Sequence, residues 1–149
     1  MKIVRADSSN PDFVSLIHQL DADLNDRYGK TQAEYDQHNV IEENQTVLVC
    51  YVDDVPMGCG CFKEMGEDTV ELKRIFIASE QRGNGYAKLI VAELEKWASE
   101  LCYKQARLET GKGQPEAIGL YTKCGYTVTE NYGPYVGMDN SVCMLKLLA

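Results

Sequence analysis

Between Val70 and Leu101 the chain passes from a strand pattern to a helix pattern across two closely spaced glycines, and this constrains the fold more than any other stretch. Val70, Leu72, Ile75, Phe76 and Ile77 give β-branched and aromatic character over a strand's length, whereas Gly83, Ala87, Ile90, Leu94, Trp97 and Leu101 recur at helical spacing. A strand, a glycine turn and a helix are therefore expected in that order. A turn of this kind exposes backbone N–H groups that no helical carbonyl satisfies, and sets the positive end of the helix dipole beside them. Anions bind at such places, phosphates above all. Gly83 and Gly85 let backbone approach a ligand closely, and Arg82 can add a charge-assisted contact to a phosphate oxygen. The residues alone leave two readings, a phosphate cradle or a plain tight turn. A dinucleotide fingerprint starting at Gly83 is disfavoured, because it needs a small residue where Lys88 stands. The preceding strand also carries Glu71, Lys73 and Arg74, whereas a buried parallel strand would be more uniformly apolar.

With 149 residues the chain is expected to form one domain, 1–149, with a single core and a ligand cleft. No segment approaches the roughly 18 unbroken apolar residues of a membrane span, and Met1 to Arg5 lacks the apolar region of a signal peptide. A cytoplasmic protein with six reduced cysteines is the expectation. Cys59-Gly-Cys61 is the one close pair, and its spacing points both side chains to one face of a strand, not into a zinc knuckle. The two histidines, His18 and His38, lie far apart without a ligand cluster, so no metal site is expected. Fifteen basic residues against 23 acidic ones show no basic stripe of the kind a nucleic acid needs. A cationic or neutral partner suits the net charge of −8 better.

Along the chain, Lys2 to Ala6 reads as a strand, and Asn10-Pro11 as a helix start. Phe13, Leu16, Ile17, Leu20 and Leu24 form that helix's core face, which Tyr28-Gly29 ends. Thr31-x-x-Glu34 is a capping box for a short second helix through about His38. Thr46 to Val52 and Met57 to Lys63 read as a hairpin joined by Asp53-Asp54-Val55-Pro56. After Leu101, a strand from Gln105 to Thr110 leads through Gly111-Lys112-Gly113 to a helix opened by Pro115 and stopped by Gly125. Tyr126 to Thr129 and Ser141 to Leu148 are the last strands. Tyr132 and Tyr135, in the Gly- and Tyr-rich loop between them, are candidate acceptor contacts, with ordinary loop packing as the alternative.

The spacing Arg82-x-x-Gly85-x-Ala87 resembles the Arg/Gln-x-x-Gly-x-Gly/Ala signature of the GNAT superfamily of acetyl-CoA-dependent N-acetyltransferases. Ala117-Ile-Gly-Leu120-Tyr121-Thr-Lys-Cys-Gly125-Tyr126 is similar to that family's second signature, with Gln114 standing where the family has Asn. The resemblance covers Val70 to Tyr126 and implies an α/β (α+β) fold, with a mixed, mostly antiparallel central sheet flanked by helices. It implies acetyl-CoA as cosubstrate, held by Ile75, Phe76, Ile77, Arg82, Gly83, Asn84, Gly85, Tyr86, Ala87, Lys88 and Gln114, without a metal. A backbone N–H near Phe76 or Ile77 is implied as the oxyanion donor. Glu71 is then the candidate base for the attacking amine, with a strand ion pair to Lys73 or Arg74 as its alternative. Tyr121 is the candidate acid for the departing thiolate, with packing like that of Leu120 as its alternative. The bend at Tyr28 is implied to border the acceptor, a small-molecule or peptide amine. The expected activity is acetyl transfer to a primary amine by direct attack in a ternary complex, by a monomer or a homodimer. A non-catalytic acyl-CoA-binding regulatory module is the alternative, and a cofactor-free interaction domain would leave the Arg82 to Gly85 turn unexplained.

Overall fold

The computed structural model describes residues 1–28 and 43–148, with the side chains of residues 27 and 28 left out of the description. The expected short helix from Thr31 lies outside the described residues. Seven strands are hydrogen-bonded in the order β1-β2-β3-β4-β5-β7-β6. By its internal contacts the chain divides into two compact units, Met1–Cys61 with Arg74–Ile90, and Phe62–Lys73 with Val91–Ala149. β3 (Val55–Gly66), β4 (Thr69–Ile77) and the helix α2 (Tyr86–Glu100) each run from one unit into the other.

In the first unit, β1 (Lys2–Ala6) pairs antiparallel with β2 (Val47–Val52), which pairs antiparallel with β3. The helix α1 (Pro11–Tyr28) begins where Asn10 accepts hydrogen bonds from the Asp12 and Phe13 amides at 2.9 and 3.1 Å, with proline at the first helical position. Its Phe13, Leu16 and Ile17 pack on Val47, Val49, Cys59, Cys61 and Phe76. Cys59 and Cys61 thus sit in the core as expected, and burial pushes the Cys59 thiol well above its ordinary range. The β2–β3 turn is tighter than the sequence suggested. Asp53 and Asp54 take φ of 51° and 65°, the left-handed pair of a two-residue type I′ hairpin, so β3 starts at Val55. Pro56 is tolerated there because the register shifts between Cys50 and Tyr51, beside it.

Gly58 has a steric reason to be glycine. A Cβ at this position would lie 2.6 Å from Ile77 Cδ1, 3.1 Å from the Phe76 carbonyl oxygen and 3.2 Å from Ile90 Cδ1. β3 therefore touches the end of β4 and the first turns of α2 through bare backbone. Gly58→Ala should cost about 1–3 kcal/mol, the range for overfilling a packed interior. Urea unfolding checks this, and an unchanged midpoint would mean that the contact relaxes without cost.

In the second unit, the first residues of β4 pair in parallel with β5 (Gln105–Gly111), from Thr69↔Gln105 to Leu72↔Leu108. A parallel neighbour requires a crossover, which α2 supplies. β5 pairs antiparallel with β7 (Ser141–Leu147), and β7 with the short β6 (Thr127–Thr129). Val70, Leu72, Ala106 and Leu108 are buried, as are Leu94 and Ala98 of α2, and the Phe62 ring meets Trp97 edge-on at 5.9 Å. The helix α3 (Pro115–Lys123) follows β5. Among the described residues no helix is long and apolar enough to cross a membrane.

Candidate functional site

The glycine turn of the first unit has the geometry that an anion site requires. Gly83 and Gly85 both adopt left-handed φ, 86° and 79°, which side-chain-bearing residues rarely take. A Cβ built on either meets nothing within 4 Å among the described residues, so the space over the turn is open. The Leu89 amide bonds to the Gly85 carbonyl at 3.3 Å, so the amides of Tyr86, Ala87 and Lys88 precede the first helical partner of α2. Asn84 closes the turn by donating to the Gln81 carbonyl at 3.1 Å. These features fit a pyrophosphate. Arg82 is held in place on three sides. Its Nε donates to the Ile77 carbonyl at 2.8 Å, its guanidinium lies 5.6 Å from the Phe76 ring centre, and its terminal nitrogen is 3.8 Å from Asp23. The side chain therefore fastens the turn to the end of β4 while remaining partly exposed.

Before the turn, β4 carries a kink. Arg74 takes φ of 60°, and its guanidinium pairs with Asp21 of α1 at 3.2 Å, while its carbonyl accepts from the Cys59 thiol. Arg74 was one expected ion-pair partner of Glu71, and it pairs with Asp21 instead. Phe76 and Ile77 beyond the kink are buried, Ile75 is half-buried, and the Ala78 amide donates to the Met57 carbonyl at 2.8 Å.

The second unit holds a cluster of charged side chains. Glu71 is buried at 5% exposure. Its Oε2 accepts the Tyr132 hydroxyl at 2.7 Å, and its Oε1 lies 3.8 Å from Lys63 and 4.0 Å from Lys73. Glu71 is thus hydrogen-bonded to Tyr132 through one oxygen and faces two ammonium groups, Lys73 among them, at ion-pair distance with the other. Burial, and then the charge of Glu71, push the Tyr132 phenol far above its ordinary range. Tyr135, which is 2% exposed, stacks edge-on against Tyr132 at 5.6 Å and packs with Cys143. Both loop tyrosines are buried, Tyr135 more completely than Tyr132. For Tyr28, the described part is its place as the last residue of α1.

Sequence reasoning passed over Glu109. It lies on β5 two residues beyond Arg107, which is in register with Glu71. Ser141 donates a hydrogen bond to it, while its Oε2 is buried and has no partner. Burial raises its pKa from 4.5 to about 7; the Ser141 bond opposes this, the Glu71 charge adds to it, and Lys73 opposes it. A carboxyl group with one free oxygen that titrates near neutrality is suited to exchanging protons. Gln105, Arg107 and Glu109 alternate with Ala106, Leu108 and Thr110, which on sequence resembles the solvated face of a half-buried strand. The available signal was two charged i,i+2 pairs, Glu71/Lys73 and Arg107/Glu109, on strands that a crossover makes neighbours.

Tyr121, in the last turns of α3, is buried, with its ring edge-on to Tyr126 at 6.0 Å. No hydrogen bond is made by its hydroxyl among the described residues. Burial, assisted by Cys124 and Glu109, pushes its phenol well above its ordinary range. Gln114 takes the N-cap of α3 without a side-chain capping bond. Among the described residues no group of three or more His, Cys, Asp or Glu is placed to hold a metal.

Comparison with known proteins identifies a family. The acetyltransferase (GNAT) family matches residues 13–126. An IAA acetyltransferase of Azospirillum brasilense is 29% identical over 137 residues, 91% of this chain and 90% of that protein. YyaT of Bacillus subtilis is 31% identical over 96 residues, which span 64% of this chain and 62% of that relative. Among solved structures, a Klebsiella pneumoniae protein assigned as an acyl-CoA N-acyltransferase superposes with a TM-score of 0.82 at 30% identity, covering 99% and 97% of the two chains. A Bacillus anthracis protein assigned as a streptothricin acetyltransferase, in complex with acetyl coenzyme A, shares the fold with a TM-score of 0.63 at 19% identity, covering 76% and 68%. Two signatures, the open glycine turn before α2 and these likenesses agree, and the chain is an acyltransferase belonging to the acetyltransferase (GNAT) family.

Proposed function

We propose that this acetyltransferase moves the acetyl group of acetyl-CoA to a primary amine of a small molecule or peptide, by direct attack with both reactants bound. When bound, acetyl-CoA supplies the activated thioester. The Arg82 to Lys88 turn offers its free amides and the Arg82 charge to the pyrophosphate, and the backbone near Phe76 and Ile77 is the reading for the oxyanion donor. Gln114 is assigned to the donor side as well, at the position of the family's Asn.

The amine must lose a proton, and Glu109 is the group assigned to receive it. The observation that carries this reading is the buried, unpartnered Oε2 of Glu109, on a carboxyl group that titrates near 7. Glu71, the base expected from sequence, accepts the Tyr132 hydroxyl through one oxygen and has two ammonium groups within 4 Å of the other, which favour its staying charged, so its role in this reading is to hold Tyr132 beside the acceptor. Tyr121 protonates the departing thiolate. Tyr28 and Tyr132 are assigned to the acceptor side, and Tyr135 backs Tyr132. The reading holds for a monomer or a homodimer, in the cytoplasm, where acetyl-CoA and reduced thiols coexist.

The test is thiol release from acetyl-CoA with a panel of amines between pH 6 and 9. Rising kcat/KM through about pH 7 with at least one amine supports the reading, and no release with any amine sinks it. For the donor side, Arg82→Ala should weaken acetyl-CoA binding by about 1.5–3 kcal/mol, the scale of a hydrogen bond to a charged group. Calorimetry checks this; equal affinity in the two proteins would remove Arg82 from the phosphate site.

A further inference from the structure

Three cations and two carboxylates share the polar side of the second unit's strands, and their pairing is uneven. Lys63 and Lys73 both lie within 4 Å of Glu71, which also accepts the Tyr132 hydroxyl. Glu109 is bonded by Ser141 and leaves one oxygen free. Arg107 is the cation left over. Its guanidinium lies 5.7 Å from the centre of the Tyr132 ring, it is half-buried, and among the described residues it makes no ion pair with a carboxylate. A guanidinium in this position presents a fork of N–H donors shaped for a carboxylate or phosphate. Tyr132 cannot swing away easily, because Glu71 holds its hydroxyl and Tyr135 backs its ring. The stacked guanidinium is therefore positioned before any ligand arrives.

We propose that the acceptor is an amino acid, and that Arg107 binds its carboxylate while Glu109 faces its amine. This rests on the reading of Glu109 given above. Residues i and i+2 of a strand point to the same face, and their Cα atoms lie roughly 7 Å apart. The hydrogen bonds at the two ends take up much of that span, so the amine and carboxylate of the acceptor must be close together, as they are in a free amino acid. Charge supports this choice. With three cations against two carboxylates, the cluster is locally positive in a chain whose net charge is −8. A purely cationic polyamine would be drawn to the acidic surface but not into this cluster, whereas an acceptor that brings its own anion satisfies Arg107.

The experiment compares free amino acids with their amides in acetyl transfer by the wild-type enzyme, Arg107→Gln and Arg107→Lys. The wild type is expected to prefer the acid over the matching amide by 10-fold or more in kcat/KM. Arg107→Gln should collapse that ratio toward one, and Arg107→Lys should recover part of it. A role limited to packing on Tyr132 would lower both substrates together and leave the ratio intact, which would overturn the proposal. An acid-to-amide ratio near one in the wild type would also overturn it. So would an Arg107→Gln loss that appears as weaker acetyl-CoA binding, since the anion would then belong to the cosubstrate. If no amine is acetylated, the catalytic reading fails, but calorimetry of amino acids and their amides with the coenzyme A-saturated protein still decides. Preferential binding of the acid that disappears in Arg107→Gln supports the carboxylate site, and equal binding overturns it.

Discussion

Glu109→Gln is expected to lower kcat/KM by about 10²-fold or more at pH 8 and to remove the inflection near pH 7 from the rate profile. The size follows from the proton transfer. An alkylammonium ion has a pKa near 10, so an ordinary carboxylate receives its proton across roughly six units, each worth about 1.4 kcal/mol. Burial raises Glu109 to about 7 and shortens that gap to roughly three units. The amide of Gln keeps the shape and receives no proton. The stability effect has the opposite sign. A carboxyl group whose pKa is raised on folding contributes stability below its unfolded value of 4.5, and that contribution is lost as pH rises through about 7. Glu109→Gln should therefore raise the melting temperature relative to wild type at pH 8, and the difference should shrink toward pH 5. Full turnover in the variant, with the pH inflection retained, would return Glu109 to a half-buried polar residue of no catalytic use.

Tyr121→Phe should lower kcat by about 10-fold or more while leaving acetyl-CoA affinity unchanged. The ring is packed against Tyr126, and Phe keeps that packing, so the substitution isolates the hydroxyl. Burial pushes the phenol upward, so it stays protonated across pH 6 to 9 and is always available as a donor. The same burial makes it a weaker acid than a solvated phenol, and its proton must move as the carbon–sulfur bond breaks. Rates matching wild type across pH 6 to 9 would show that Tyr121 only packs and that water protonates the thiolate.

The elements were legible because their local signals agreed. The period change across Gly83 and Gly85, the Asn10-Pro11 helix start, and the Pro115 and Gly125 limits of α3 each fall where the structure has them. The hairpin turn was read too long, since Val55-Pro56 looks like loop and only the left-handed pair Asp53-Asp54 shows where β3 begins. The glycine turn was legible as a left-handed turn with open space over it, because backbone conformation shapes it. The grouping of Glu71, Glu109 and Tyr132 was not, because it depends on burial and on contacts between distant residues. Glu71 and Glu109 look alike on alternating strands, and only Tyr132, 61 residues away from Glu71, distinguishes the occupied carboxylate from the one with a free oxygen. Nor does any spacing reveal the kink at Arg74, which directs that side chain to Asp21.

The central claim, direct transfer from acetyl-CoA to an amine, is tested most directly by mixing equimolar protein and acetyl-CoA with an excess of amine, quenching early, and weighing protein and small molecules by mass spectrometry. The account predicts acetylated amine and free coenzyme A appearing together, one for one, with the protein at its unmodified mass. An acetylated protein that forms before the product, or coenzyme A released without acetylated amine, would contradict it.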